Sequence, residues 1–598
     1  MRRHRLHRRT AAAIERLRPD DFEALAYHSG EAGDEARARI YYVRAADRAR
    51  KVYANEDAIR FYIEALALTS ADHPDRFDLL AARSKVYDVI ARRDPQRADI
   101  DAMLALAEKQ DDGARKCDAL LALADFYLAT NYTLAQAPAE QAAAVARTIS
   151  DRVREAHALR RLSQSAFDQV DFLQSSKLLE EAITRFRQVG LHGETATCLH
   201  MLSLTLERLG ELSAAEATAK EAIALSRAAG DQQQEATSLR RLAVIYASQG
   251  RAVESLTVTQ TALALHRELG DRDGEGNALI NSGFPLAFLG RLEESEENFY
   301  RALEIGEAIG SMGIIDDAIA FLLWLRIERR GEYEAGWTFL DAQLAKARLA
   351  NNQFLVACIN WRQADLLRKL GQFGPAIELI QAVLAAGQES ATLRSDALLE
   401  LGILQAERGE YAPARANLQT VLKQREQTGG PFNTIWTTLW LAHVAWLEGR
   451  AINGQAANPP VLRAGIDHAQ RVIALCANAS LNLRAELTLA FMIAARLHLA
   501  LSETDEALTH STEAVRLMAT LPFPPWPEIS LFTHAQALRA AGRTAEADEH
   551  LRKAYERVML VASKTQDEVL RGSWLENVRD NREIVKEWTL RNGDKVTG

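Results

Sequence analysis

Glycine recurs with a fixed beat through the middle of this chain. Gly190, Gly210, Gly230, Gly250, Gly270, Gly290 and Gly310 stand 20 residues apart, and Gly331, Gly371, Gly409 and Gly449 continue at intervals near 40. The segments between them are rich in Ala, Leu, Glu, Arg and Gln, all strong helix formers. Glycine just past a helix supplies a left-handed C′ conformation that other residues adopt only at a cost. The beat therefore predicts helix, tight turn, helix, tight turn, with two antiparallel helices as the unit. The fold class expected is all-α, an α-α superhelix or solenoid of about 13 antiparallel helical hairpins with a period near 40 residues.

Alignment on the inner-turn glycine exposes three columns of fixed side-chain size. Five residues after Gly210, Gly250, Gly290, Gly331, Gly371, Gly409 and Gly542 stand Ala215, Ser255, Ser295, Gly336, Ala376, Ala414 and Ala547, all small. Seven residues before them stand Ser203, Ala243, Gly283, Trp324, Ala364, Gly402 and Ala535, where only Trp324 breaks the rule. Thirteen after come Ile223, Leu263, Leu303, Leu344, Leu384, Leu422 and Tyr555, apolar and expected to face the next hairpin. Small residues suit the close approach of the two helices of one hairpin. If the reading holds, Ala215 and Ala376 are closed to water.

These columns, as in Leu202-Ser203…Leu206…Gly210…Ala215…Ala222-Ile223, resemble the tetratricopeptide repeat (TPR) family. The period is 40 rather than the family's usual 34, because the inter-repeat turns Ala229-Gly230-Asp231 and Leu269-Gly270-Asp271 are lengthened. That longer form is similar to kinesin light chains and to the sensory regions of maltose-regulator-type bacterial proteins. Weaker units extend the pattern towards the N-terminus, with turns near Tyr53, Arg93, Asn131 and Val170. The expected organisation is degenerate hairpins over 1–189, regular repeats over 190–450, TPR-like hairpins over 464–562, and a capping helix and tail over 563–598.

Two interruptions stand out. Residues 451–463 lengthen the turn after Gly449, and Pro459-Pro460 cannot sit inside a helix. Residues 521–527, Leu-Pro-Phe-Pro-Pro-Trp-Pro, form an extended connection, read as a loop packed through Phe523 and Trp526 in preference to a Pro-rich recognition element. A last helix over about 566–591, with Trp574, Leu575, Val578, Ile584 and Trp588, is expected to cover the apolar end of the solenoid.

The ends resemble a larger protein. His28-Ser-Gly-Glu-Ala-Gly33-Asp34, Ala45-Ala-Asp-Arg-Ala49 and Tyr53-Ala-Asn-Glu-Asp-Ala58-Ile-Arg-Phe-Tyr62 are similar to the stretch after the ATPase and winged-helix modules of bacterial signalling ATPases and some class III adenylate cyclases. Glu568-Val-Leu-Arg571 and Trp574-Leu-Glu-Asn577 resemble the C-terminal end of those proteins. The resemblance implies a sensor or scaffold arm. Met1 reads as opening in mid-architecture, and the five arginines among residues 1–9 as a basic helix end, since no apolar segment follows them as a secretory signal requires.

Composition narrows the function classes. A balance of 72 basic against 81 acidic residues, net −9, argues against direct nucleic-acid or anionic-membrane binding. No apolar run approaches the 18 residues of a membrane span. Four scattered cysteines, Cys117, Cys198, Cys358 and Cys476, cannot form a disulfide scaffold. These features fit a soluble cytoplasmic protein. No Gly-Lys dipeptide exists, so no P-loop; Gly274-Glu-Gly276 follows no strand; and Cys-x-x-Cys, His-Glu-x-x-His and Glu-x-x-His spacings do not occur. Neither enzyme activity nor a cofactor or metal is expected.

In TPR proteins the first helix of each hairpin lines the concave face, where extended peptides dock. The resemblance then nominates Arg160-Arg161, His200-Met201 and Arg240-Arg241 in three successive units, followed by Asn277, Asn281, Trp361 and Arg362, with Asp365 beside them. Guanidinium forks and amides suit carboxylates and main-chain groups of a peptide. The competing reading is that these arginines are solvated or ion-paired within the solenoid. The Lys/Asn carboxylate clamp of chaperone cofactors does not match, because Ser163, His200 and Leu204 occupy the relevant positions. Three functions remain: a non-catalytic scaffold for a protein or peptide partner, a regulatory arm of a signalling ATPase, nucleotide cyclase or transcriptional regulator, and an enzyme assembled at the 451–463 insertion, which nothing in the sequence supports.

Overall fold

The computed structural model describes residues 2–52, 54–169, 171–386, 391–427, 431–451, 456–477, 483–521 and 524–592. Among these residues all regular structure is helical: thirty α-helices, one 3₁₀ turn at Tyr132–Leu134 and a π-helical stretch at Leu325–Arg330. The chain divides into two compact units, Met1–Cys198 and Leu199–Gly598. The first opens with helices Arg2–Leu17 and Phe22–Glu31 and continues as four hairpins, from Glu35–Lys51 with Asn55–Ala67 to Arg152–Asp168 with Phe172–Gln188. The boundary falls inside His192–Arg208, the first helix of the next hairpin. Nine hairpins run from there to Pro527–Ala540 with Thr544–Lys564, so that thirteen follow one another in the chain. Two short helices, Glu568–Glu576 and Arg579–Asn592, end the described chain. The fold is an all-α hairpin solenoid.

Local chemistry explains where helices stop and start. Gly190, Gly210, Gly230, Gly250, Gly270, Gly290 and Gly310 all take positive φ, as do Gly331, Gly371, Gly409 and Gly542. The residue after an inter-repeat turn caps the next helix: Asp231 Oδ1 accepts from Gln234 N at 2.9 Å and Asp271 Oδ1 from Gly274 N at 2.9 Å. Second helices start differently, with no side-chain cap at Arg251, Arg291 or Arg543 but an ion pair to the glutamate three residues on. Outside the glycine series the same left-handed turns are made by Ala91, Asp111, Ser150, Asn351 and Ser502. The expected turns near Arg93 and Asn131 correspond to helix boundaries at Arg93–Lys109 and Gly113–Thr130. Those near Tyr53 and Val170 lie outside the described residues. Gly449 differs: it is the last helical residue of Pro431–Gly449, and a Cβ there would come within 2.7 Å of Leu462 Cγ. It permits close packing rather than a left-handed turn.

The small columns meet each other. Ala215, Ser255, Ser295, Ala376, Ala414 and Ala547 are closed to water. Ser255 Oγ donates to Ala243 O at 2.8 Å and Ser295 Oγ to Gly283 O at 2.7 Å, so the later column reaches the main chain of the earlier one. A Cβ on Gly283 would stand 2.3 Å from Phe299 Cε1, and one on Gly402 would stand 3.2 Å from Ala414 O. Trp324 escapes the rule because of the π-helical stretch just after it. One extra residue is absorbed there, lengthening the glycine interval to 41 and moving Trp324 one column over. Leu323 takes its place against Gly336, where a Cβ would be 3.2 Å from Leu323 Cδ1.

The C-terminal segment departs from expectation. It forms two helices rather than one. Ile584 is fully buried with Phe532, Leu551 and Val558 of the last hairpin, as a cap requires. The segment then reaches much further. Lys564 Nζ donates to Arg330 O at 2.6 Å, and Ser573 Oγ to Leu370 O at 2.6 Å. Arg579 pairs with Glu407 at 3.3 Å, Arg450 with Glu583 at 3.4 Å, Arg496 with Asp580 at 2.5 Å, and Arg539 with Glu587. The tail thus ties together the carboxyl ends of six successive first helices. Pro459 and Pro460 open the helix Pro459–Cys476, where the missing N–H costs nothing.

Two outcomes are expected. Gly230→Ala places a side chain in open space but in a left-handed backbone, so only strain acts, and denaturant titration reports a loss of about 1–2 kcal/mol; Ala91→Gly relieves the same strain and stabilises the first unit. Asp580→Asn leaves Arg496 buried without its charge partner and costs about 3–5 kcal/mol in the second unit, whereas Arg496→Met with Asp580→Leu recovers most of that loss.

Candidate binding cavity

Seven first helices of the second unit turn one face towards a cavity of about 910 Å³. The column six residues before the inner-turn glycine delivers Val244, Phe284, Asp365 and Ile403 to its wall, and Trp324 joins that column through the π-helical insertion. Neighbouring positions add Asn281, Phe288, Phe321, Trp361 and Glu400. Trp436 and Trp440, one helical turn apart on Pro431–Gly449, add two more rings, and Glu486 comes from the start of Arg484–Ala500. Pro524, Pro525 and Trp526 complete the lining.

The aromatic residues hold one another in place. Phe284 stacks on Trp324 with centroids 5.1 Å apart and meets Phe321 edge-on at 5.8 Å. Trp526 meets Trp440 edge-on at 5.5 Å. Offset and edge-on contacts of this kind are favoured by the ring quadrupole. Trp526 reaches that position with φ 42° and ψ 55°, a left-handed backbone that is costly for a bulky residue and is fixed by Pro527 behind it. The sequence expectation that Trp526 packs is met; Phe523 lies outside the described residues.

Charges on the wall are ordered by a network on one helix. Lys369 Nζ lies 2.6 Å from Glu328 and 3.1 Å from Asp365; Arg368 lies 2.6 Å from Asp365 and 2.5 Å from Glu400. Burial alone would raise the Asp365 carboxyl, but Lys369 and Arg368 override it and hold it below its ordinary value. Burial wins at Glu400, which is raised despite Arg368. Arg329, stacked over Trp324 at 4.0 Å, is pulled down to about 9 by burial, with Glu328 opposing. Glu486 is raised by burial, against a main-chain hydrogen bond that opposes the shift, and none of the ion pairs among the described residues includes it. Asn281 Nδ2 and Trp361 Nε1 are buried donors without a hydrogen-bond acceptor. The wall therefore offers aromatic faces, two spare donors and one uncompensated carboxyl.

The sequence candidates divide between the two units. Arg160 and Arg161 belong to the first unit: Arg160 pairs with Glu194 at 3.6 Å, and Arg161 forks onto Asp125 at 2.8 and 2.7 Å. In the second unit Arg241 pairs with Glu207 at 2.9 Å, and Arg362 with Asp316 at 2.8 Å. Burial lowers Arg240, with Asp273 and Asp271 opposing, and its Nε lacks an acceptor. Asn277 Nδ2 is turned back to Asp273 O at 2.9 Å. His200 is held beside Arg240 and Arg241. Asn281, Trp361 and Asp365 reach the cavity wall. Missed were Phe284, Phe321, Trp324, Trp436, Trp440, Trp526 and Glu486. One sequence signal pointed there: Trp324 as the single large residue in a small column.

Two stretches, 154–228 and 234–309, match the tetratricopeptide-repeat family model. These stretches are tetratricopeptide repeats. The cavity lies on first helices of TPR-type hairpins, the helices that the sequence resemblance marked as groove-lining. Among solved structures the chain is similar to one titled "Crystal Structure of Rap Protein Complexed with Competence and Sporulation Factor", at 14% identity and TM-score 0.38, covering 59% of this chain and 99% of that one. No curated protein matches the chain.

Burial, with Arg241 and Arg240 adding repulsion, pulls His200 from its ordinary 6.5 down to about 3. Between those values the unfolded chain binds a proton that the folded chain refuses, so stability is lost as pH falls below about 6.5. Urea midpoints of His200→Gln are expected to drop less than those of the parent between about pH 7 and pH 4.5; an equal drop would exclude His200 as a source of acid lability.

Proposed function

We propose that this chain is a non-catalytic binding protein whose second unit holds a segment of a protein or peptide partner in the aromatic cavity. The observation that carries the reading is the delivery of six or more aromatic rings and two spare hydrogen-bond donors to one cavity by successive repeat helices. Its volume falls within the range of ligand sites, and its mix of apolar wall with a few polar groups suits recognition. Spare N–H donors match the carbonyls of an extended main chain. Chemistry for turnover finds little support. Burial pushes the thiols of Cys117 up to about 11 and of Cys198, Cys358 and Cys476 up to about 12, against nucleophilic use. Among the described residues no three His, Cys, Asp or Glu side chains group around a common metal position, and no helix is long and apolar enough to cross a membrane.

A regulatory arm of a signalling ATPase, nucleotide cyclase or transcriptional regulator is the second reading. One observation favours it. A smaller cavity of about 240 Å³ beside the tail shares Glu328, Arg329, Arg368, Lys369, Trp440 and Trp526 with the aromatic cavity. An occupant of the large cavity would press on the wall against which the tail helices dock, giving binding a route to conformational change.

The two candidate surfaces are separable by affinity capture with the full chain. Trp324→Ala removes a central ring and is expected to weaken the captured partner about 30-fold or more, as truncation of a buried aromatic anchor does; Trp361→Phe keeps the shape and loses the N–H, for a smaller loss. Arg160→Glu with Arg161→Glu leaves binding unchanged. Capture that survives Trp324→Ala but fails when Arg160, Arg161, Arg240 and Arg241 all become Glu would move the site to the arginine pairs.

A further inference from the structure

The cavity has a polarity along its wall. At one side, on Arg272–Phe288 and Gln353–Lys369, the unsatisfied groups are donors: Asn281 Nδ2 and Trp361 Nε1. At the other, the lining is Trp436, Trp440, Trp526 and Glu486. Trp436 keeps 38% of its surface open, and Trp440 and Trp526 already meet edge to face. Indole faces attract cations, and a carboxylate among them adds the missing counter-charge.

Of the remaining wall charges, Arg368 already lies over the Trp440 ring at 5.6 Å, so the cation seat rests chiefly on Trp436, Trp526 and Glu486. Glu328, Asp365 and Glu400 are engaged by Lys369 and Arg368, and Arg329 is stacked on Trp324. Glu486 stands outside this network. Its carboxyl is raised by burial, and a bound cation would lower it again.

Building on the binding function proposed above, we infer that the occupant is a basic peptide segment: a lysine or arginine side chain seated between Glu486 and the Trp436, Trp440 and Trp526 rings, with its main-chain carbonyls turned to Asn281 and Trp361. An acidic segment is disfavoured, because its carboxylate would face Glu486 and the negative edge of the Asp365–Glu400 cluster without a free cation. A segment without charge would leave Glu486 half-buried without a counter-charge.

The test is selection of a random twelve-residue phage-displayed peptide library on the full-length chain, followed by fluorescence-anisotropy titration of the selected sequences as synthetic peptides. Expected are sequences in which lysine or arginine neighbours an apolar residue, with affinity falling at least tenfold in Glu486→Gln and in Trp436→Ala and unchanged in the exposed control Glu294→Gln. Circular dichroism melts of Glu486→Gln, which preserves shape, separate loss of binding from loss of fold. Selected peptides that are acidic or uncharged, or basic peptides indifferent to Glu486→Gln, overturn the inference while leaving the cavity as the binding site, provided Trp324→Ala abolishes them. Peptides indifferent to Trp324→Ala, or no enrichment at all, overturn both. Saturable binding of free phenethylammonium that is lost in Glu486→Gln, with no peptide enrichment, makes the occupant a small amine and overturns the peptide assignment.

Discussion

Everything in this molecule depends on how closely the two helices of each hairpin approach. At the contact there is room for a methyl group or a hydroxyl and nothing larger, save where Gly336 admits Leu323, and in two hairpins the hydroxyl of Ser255 or Ser295 bonds directly to the carbonyl of the facing helix. Such contact leaves no slack for a register shift, because a side chain displaced by one position would drive a larger residue into main chain. With the register locked, the first helices of the second unit present the same sequence positions to the same side. A surface feature then becomes a column rather than a point.

The cavity is what the columns make when they carry aromatic residues. It is centred where the repeat is least regular. At Leu325–Arg330 the helix takes in one extra residue, and that single insertion swings Trp324 out of the interhelical contact and into line with Phe284. Gly336 yields the space that Leu323 then needs. A break in a repeating rule, matched by a compensating change on the facing helix, is what a functional departure from a regular scaffold looks like. Three arginines that look conspicuous in sequence are engaged within the solenoid. Arg161, Arg241 and Arg362 each spend their guanidinium on a carboxylate of the preceding hairpin, at Asp125, Glu207 and Asp316, and so stitch neighbouring hairpins of one unit together.

The tail changes the mechanics of the second unit. A stack in which each hairpin touches only its neighbours can fray from either end. Helices Glu568–Glu576 and Arg579–Asn592 instead join the ends of five first helices through Ser573, Arg579, Asp580, Glu583 and Glu587. The buried Arg496–Asp580 pair is favourable only while both charges remain, so the tail is held by interactions that tolerate no half measure.

The hairpins, their turns and the close-packed columns were legible in the sequence because all three are local. A left-handed glycine, the aspartate that caps the next helix and a small residue twelve positions from its partner act within a single hairpin. The reading faded towards the N-terminus for a local reason too, since Ala91, Asp111 and Ser150 make the same turns without glycine's signature. What tertiary structure alone decided was which distant residues meet. Phe284, Trp440 and Glu486 share a wall although about 200 residues separate the first from the last, and Ser573 reaches back to Leu370. Those meetings follow from the summed rotation of many hairpins and from one π-helical insertion. No window of sequence contains that sum.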